Sequence, residues 1–319
     1  VTLPVLIVDY NSKTLEDCLV SLLNQTIRPS CVYILNNGDP PCAEYKSKLK
    51  VDQDFKLHVI QNDKNLGFAG ALHTFLATFE ESSHVAILNP DAFPRKNWLE
   101  NMLKGISKYP DAASYASLML KANDLSCIDG VGDLCHFTGL TWRKGHGQRV
   151  DGYPEPEDRI FSGCGASVVI NLRAYHEVGG FDPSYFCYQE DVDLGFRFQL
   201  AGYENFLIPD AVVEHIGGET SGRRSEFETY HGHRNLEWTF FKNMPWGLLI
   251  LFFVPHFLMV LMMYFVSLKR GQGMIYLKSK WDALRGMPHL LLVSRPQAQK
   301  LKVISSWTLL KKIQWSLRR

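Results

Sequence analysis

Residues 84–94 read HVAILNPDAFP, and the way this stretch ends decides the architecture. An apolar, β-branched run stops abruptly at Asn89-Pro90-Asp91. Proline cannot donate to a sheet ladder and is rare inside a buried strand, so Pro90 marks the strand's end and presents Asp91 just beyond it. Three similar runs precede it: LPVLIVDY at 3–10, CVYILNN at 31–37 and KLHVIQN at 56–62. Helix-like segments separate several of them: SKTLEDCLVSLLNQ, GFAGALHTFLATFEE and, after the fourth run, NWLENMLKGISKY. In the first, Leu15, Leu19, Leu22 and Leu23 share one face, with Ser12 as the expected N-cap.

Strands alternating with helices predict an α/β fold, a mixed and mainly parallel sheet with helices on both faces. Ligands of such sheets sit outside the carboxyl ends of the strands. That rule selects Asp9-Tyr10-Asn11, Asn36-Asn37-Gly38, Asn62 to Gly70 and Asn89-Pro90-Asp91. From about 110 to 160 the periodicity weakens and the chain reads as loops and short strands, some mobile over a ligand. Order returns at IFSGCGASVVINLRAYHEVGGFD, YFCYQEDVDLGFRFQLAGY and NFLIPDAVVEHIGGETS.

The chain has 319 residues and a net charge of +1, but the charge is unevenly placed. Residues 269–319 carry twelve Lys/Arg and one acid, about +11, which leaves the first 268 residues at about −10. An acidic body with a basic tail suits a small-molecule enzyme tied to an anionic surface. Seven cysteines without a C-x-x-C pair suit reduced thiols rather than disulfides or a zinc site. The opening VTLPVLIVDYN lacks a basic n-region and a small-residue cleavage site, so it reads as a strand and not a signal peptide.

Several groups carry chemistry. Glu190, Asp191 and Asp193 open a helix, where acids serve either as simple capping charges or as a base beside an acceptor hydroxyl. Asp91 is either a turn residue or a hard-oxygen ligand, since Mg²⁺ or Mn²⁺ on a diphosphate needs only one or two protein carboxylates. His215 ends another apolar run and reads as structural or as an imidazole ligand. Asn65 to Gly70 places two glycines at a helix start, where backbone can approach phosphate; it matches neither the P-loop nor the dinucleotide fingerprint.

In order, IVDYN, NNGD, NLGFAGA, LNPDA, VGGFDPSYFCYQEDVDLGFRFQLAGY and VEHIGG resemble the family 2 glycosyltransferases of the GT-A fold. Among these the chain is most similar to bacterial rhamnosyltransferases of surface-polysaccharide assembly. The resemblance spans roughly residues 3–222 and implies a catalytic domain over 1–225, followed by a helical region over 226–319. It implies inverting transfer from a nucleotide-diphosphate sugar, with dTDP-rhamnose the leading donor and galactose, glucose or an N-acetylhexosamine as alternatives. The acceptor would be a lipid-linked saccharide. Tyr10, Asn11 and Asn37 would line the base and ribose pocket, with Asn65 and Gly67 bordering it and Asn89 orienting the ribose or a metal-bound water. Asp91 would hold the divalent ion, with His215 beside it. Asp191 would be the general base, while Glu190 and Asp193 would bind acceptor or brace the site. Two positions depart from the pattern: Asn36 stands where many members have an acid, and the usual Asp-x-Asp is Asn89-Pro90-Asp91. A catalytically silent scaffold is the rival reading, and the intact Asp91 and Asp191 argue against it.

Residues 246–268, WGLLILFFVPHFLMVLMMYFVSL, contain no formal charge and are long enough to cross a bilayer. One crossing would export the basic tail, against the positive-inside tendency, and Pro255-His256 suggests a broken, re-entrant or interfacial segment. In the tail, Leu301, Ile304, Trp307, Leu310, Ile313 and Leu317 follow helical spacing, with Lys302, Lys311, Lys312 and Arg318 elsewhere. That pattern predicts a basic amphipathic helix for anionic headgroups. The expectation is a peripheral, monotopic protein on inner-leaflet lipids at the cytoplasmic face of the bacterial inner membrane. Nucleic acid fits poorly, because the basic residues alternate with an apolar face rather than a stacking platform.

Overall fold

A computed structural model describes residues 3–38, 55–152, 159–218, 222 and 225–316. The chain begins with β1 (Val5–Asp9), α1 (Leu15–Leu23), β2 (Val32–Asn36), β3 (Leu57–Gln61), α2 (Gly67–Leu76) and β4 (His84–Leu88). These strands lie parallel in the order β4-β1-β2-β3. Side chains alternate between two cores, as a sheet covered on both faces requires. Val5, Ile7, Val32 and Ile34 pack with Leu15, Leu19 and Leu22 of α1 on one face. Leu6, Val8 and Leu35 pack with Leu72 and Leu76 of α2 on the other. Cys18 fills the remaining inward position of α1, while Leu23 is only partly buried.

β4 stops at Leu88, one residue short of Asn89-Pro90, as the proline argument requires. A short β5 (Ala92–Pro94) follows, then α3 (Trp98–Lys108), whose Trp98, Leu99 and Met102 close the first core. The stretch expected to be irregular begins with an eight-residue central strand, β6 (Ser114–Lys121). Its neighbours on both sides bury it almost throughout, and that erased the alternation by which a half-exposed strand is recognised. The remainder is short: β7 (Asp124–Gly130), β8 (Asp133–Cys135), β9 (Thr141–Arg143) and β10 (Arg159–Ile160). β11 (Ser167–Asn171) then inserts antiparallel between β4 and β6. After α4 (Leu172–Glu177) and α5 (Glu190–Leu200), β12 (Asn205–His215) runs parallel to β6. Among the described residues the sheet has ten strands along the order β10-β12-β6-β11-β4-β1-β2-β3, with β5 and β7 attached at one end.

Five helices follow: α6 (Glu226–Asn243), α7 (Trp246–Lys269), α8 (Gly273–His289), α9 (Arg295–Lys300) and α10 (Ser306–Lys312). α6, α7 and α10 pack on the back of α5, where Val192, Phe196 and Leu200 meet Phe240, Met244, Leu248, Phe252, Leu309 and Ile313. Three local expectations are corrected. Thr14, not Ser12, is the N-cap of α1; the Ser12 hydroxyl accepts instead from the Thr14 N–H at 3.2 Å, and its own N–H donates to Asp9. α7 continues unbroken through Pro255, with the next residue, His256, fastened at both ring nitrogens. The tail is not one amphipathic helix. It breaks at 301–305, and Leu309 and Ile313 pack inward against α5 rather than outward. Lys312 is tied to Gln199 and Glu204, while Leu317 and Arg318 lie outside the described residues. The six cysteines among the described residues are free.

Candidate active site

The carboxyl ends of β1, β2 and β4, together with the start of α2, form one lip. Tyr10 is 46% exposed there, and Asn11 takes a left-handed φ of 56°. The Asn11 amide lies across Gly38 so closely that a Cβ on Gly38 would stand 2.2 Å from its Oδ1. Asn36 spends its amide locally, donating to Gln61 at 2.8 Å and accepting from the Gly38 N–H at 3.0 Å. Asn37 is buried and ties the β2 end to α2, donating to the Gly67 carbonyl at 3.0 Å and accepting from Asn62 at 2.8 Å. Asn65 accepts from the Gly67 N–H at 2.8 Å. Gly67 has φ +71°, and a Cβ there would collide with the Phe186 carbonyl at 2.4 Å. Only glycine meets both conditions.

Asp91 follows the β4 end and is buried, its Oδ2 accepting from the Gly217 N–H at 3.1 Å. His215, the last residue of β12, points Nε2 at Asp91 Oδ1 over 3.4 Å without hydrogen-bond geometry, so this buried nitrogen has no hydrogen-bond partner. Its other nitrogen, Nδ1, is held by Asp129 of β7 at 2.7 Å. Burial pushes the His215 pKa down, but the hydrogen bond it makes to Asp129 and the neighbouring Asp91 carboxylate outweigh it and set it above the usual value. Asp129 has the opposite balance: burial raises it, yet His215 and Arg143 bring it down to about 2. A carboxylate fixing the far nitrogen of a histidine whose near nitrogen faces a second carboxylate is the arrangement that orients an imidazole for a metal. The carboxylate oxygen fits Mg²⁺ or Mn²⁺, and of the two an imidazole donor suits the transition metal better. Asn89 is half-buried beside this corner, its N–H donating to the Ala166 carbonyl at 3.0 Å.

The second corner is the first turn of α5. The carboxylate of Asp191 accepts from the Gly165 N–H at 3.0 Å and the Val192 N–H at 2.8 Å. Burial raises its pKa, partly offset by those two donors. Asp133 of β8 and Cys164 lie within 4.8 Å of it. Burial, then the Asp191 charge, pushes Asp133 up to about 8, and burial pushes the Cys164 thiol well up. The thiol in this trio disfavours a hard cation such as Mg²⁺. Glu190 is buried with an unpartnered Oε2, and burial beside Asp191 raises it well above the carboxylate range. Asp193 is sealed at 0% exposure by Arg197, Lys242, Tyr185 and Asn243, so it braces the helix and presents nothing to an acceptor.

Arg143 of β9 joins the corners, paired to Asp129 and close enough to Asp133 and Asp191 to feel both charges. Asp129, Asp133 and Arg143 all come from the stretch whose periodicity was weakest. Their only sequence signal is the Asp-x-x-x-Asp spacing of 129–133. A separate cavity of about 760 Å³ opens at the amino-terminal ends of the strands, lined by Pro4, Ser30, Tyr33, His58 and Glu81. It includes neither acidic corner and takes no part in the site.

A two-sided, mainly parallel sheet with a polar lip and two acidic corners at its strand ends gives the chain a GT-A-like architecture. Residues 5–126 match the model of Glycosyl transferase family 2. The chain is 26% identical over 246 residues to the N-acetylglucosaminyl-diphospho-decaprenol L-rhamnosyltransferase of Mycobacterium tuberculosis, covering 69% of this chain and 78% of that one. The pre-mycofactocin glycosyltransferase of the same species is 30% identical over 159 residues, 50% of this chain and 32% of that one. Together these matches support a family 2 glycosyltransferase similar to rhamnosyltransferases. Two solved structures share the fold. The mannosyltransferase PcManGT from Pyrobaculum calidifontis, solved with GDP-Man and Mn²⁺, has a TM-score of 0.55 at 13% identity over 98% of this chain and 86% of that one. TarS 1-349 of S. aureus has 0.56 at 15% identity over 94% and 89%.

Proposed function

We propose that the protein transfers a sugar, with rhamnose from dTDP-rhamnose the leading choice, to a hydroxyl of a lipid-linked glycan in bacterial surface-polysaccharide synthesis, with inversion. The observation carrying this reading is the half-accessible Asp191, its pKa raised and its carboxylate aimed by two backbone N–H groups, on the same site as the Asp91–His215 pair. Tyr10, Asn11, Asn37, Asn65 and Gly67 border the nucleotide, and Asn89 contacts the ribose or a bound water. Asp91 and His215 would hold a divalent cation, which when bound supplies positive charge to the departing diphosphate. Asp191 accepts the proton of the acceptor hydroxyl as the hydroxyl oxygen bonds to the anomeric carbon. A positioned base contributes about 10²- to 10⁴-fold. Asp191→Asn should therefore keep donor affinity and lose turnover by about that factor. Near-normal turnover would sink the assignment. A panel of nucleotide sugars including dTDP-rhamnose, run with Mg²⁺ or Mn²⁺ against lipid-linked acceptors, identifies the sugar, and a retained anomeric configuration in the product would overturn the mechanism.

The rhamnosyltransferase relative's name specifies a lipid-diphosphate substrate, and α7 supports a place at a membrane for this chain. Eleven of its large apolar side chains, from Trp246 to Leu268, face outward. Its inner face is fastened to the catalytic body midway along. His256 is buried, bonded to the Thr138 carbonyl at 2.7 Å and Glu237 at 2.9 Å, and stacked on Phe240 with centroids 3.9 Å apart. A helix held at its midpoint by a polar body suits a bilayer surface better than a crossing. Exposed Lys269, Arg270, Lys278 and Arg285 flank it and would meet anionic inner-leaflet headgroups at the cytoplasmic face.

A further inference from the structure

Between Asp182 and the base helix the backbone takes an unusual path. Phe186 has φ 64° and ψ −63°, and the Cys187 N–H donates back to the Tyr185 carbonyl at 2.8 Å. This is a γ-turn of the rare, strained hand. Tyr188 and Gln189 follow at φ 68° and 69°, so three of the four residues before α5 are left-handed and none is glycine. Such a path persists only where surrounding contacts over-determine it.

Those contacts come from α6. Asn235 is fully buried, and its amide nitrogen faces the carbonyls of Tyr185 at 2.9 Å, Cys187 at 2.9 Å and Tyr188 at 2.7 Å. The orientation of that amide is fixed from the other side, because Arg234 Nε donates to its Oδ1 at 2.9 Å. Arg234 also donates to the Ser184 and Tyr185 carbonyls at 3.1 and 2.9 Å. The same turn touches the donor lip, where the Phe186 carbonyl accepts from the Ala69 N–H at 3.1 Å. Two residues past the turn stands Asp191.

We infer that Asn235, oriented by Arg234, is a positioning residue that holds the left-handed turn 185–189 and so sets the angle at which Asp191 meets the acceptor. The helical region therefore contributes to catalysis as well as to attachment. This inference rests on Asp191 being the base.

The test uses the full-length chain in detergent with Mn²⁺ and the nucleotide sugar that the panel identifies. Asn235→Asp keeps the volume but turns an acceptor oxygen toward three carbonyls. The expected result is a kcat loss on the order of 100-fold, the scale of a small misplacement of a reacting group, with affinity for the matching nucleoside diphosphate within about threefold. Amide exchange at 185–189 should accelerate while β1–β4 stay protected. A folded variant with parent-like kcat overturns the inference, and so does a fall of kcat and nucleotide affinity in step. If Asn235→Asp does not fold, Arg234→Met decides: a roughly tenfold kcat loss at unchanged affinity supports the brace, and parent-like kcat overturns it. Asp191→Asn is run beside both. Normal turnover by that variant refutes the base assignment, whereas an inactive Asp191→Asn beside a normal Asn235→Asp refutes only the brace.

Discussion

Asp129 does not stand at any of the strand ends that form the lip, yet it holds a residue of the proposed metal corner. Its carboxylate fixes His215 Nδ1, which leaves Nε2 aimed at Asp91. Groups that orient a metal ligand typically alter metal affinity 10- to 100-fold when removed. Asp129→Asn should lower Mn²⁺ affinity by about that range, measured by calorimetric titration in the presence of nucleoside diphosphate at a temperature where the variant stays folded. An unchanged affinity would show that His215 does not take part. At this scale the sequence exposed Asp91, Asp191 and His215 because each stands at the edge of a periodic element. Asp129 and Asp133 had no such frame. His215 and Asp129 are 86 positions apart, and no local pattern reports a pairing of that kind.

α7 shows how an element can satisfy a span criterion and still be a docked helix. Its apolar composition was plain, but the ion cluster that holds it was not. Glu237 accepts from His256 and from Lys280 Nζ, the latter at 2.6 Å. Burial raises the Glu237 pKa, but Lys280 and His256 bring it down to about 2 from 4.5. A carboxylate whose pKa is lowered by folding adds stability above its unfolded value and loses it as pH falls toward the folded one. The shift corresponds to on the order of 3 kcal/mol. Glu237→Gln should therefore lower the Tm at pH 7. The gap from the parent should narrow as pH falls below about 4.5 toward the folded value near 2, as followed by thermal melts in detergent. A gap independent of pH would remove Glu237 from the clasp.

At the scale of the molecule, the C-terminal helices serve two surfaces at once. One side holds α5 through Lys242 and Asn243 and the turn before it through Asn235, and the other presents the outward face of α7. Phe257 and Leu261 are exposed at 60% and 44%, and each such side chain buried in lipid is worth about 1.5–3 kcal/mol. Phe257→Asp with Leu261→Asp should cut partition onto vesicles at least about tenfold while leaving the Tm and soluble-donor hydrolysis near parent values. Binding should also be stronger on anionic than on neutral vesicles and weaken with salt, because each surface cation adds about 1 kcal/mol. Equal vesicle binding by the double variant would mean that another face docks.

The amino-acid sequence by itself determined the alternation of strands and helices, the strand ends that line the lip, Pro90 as a terminator and the acid turn at 190–193. These are local consequences of burial period and backbone chemistry, which a chain records residue by residue. Only the tertiary structure decided that β6 is central, that Asp129 and Arg143 join the two acidic corners, and that Asp193 is a sealed brace. It alone broke the tail helix, where Leu309 and Ile313 found a protein surface to cover while Trp307 stayed exposed, and set Asn235 against a strained turn 47 positions away. Polar groups paired across such separations leave no periodicity behind, because their partners are chosen by the fold and not by their neighbours in the chain.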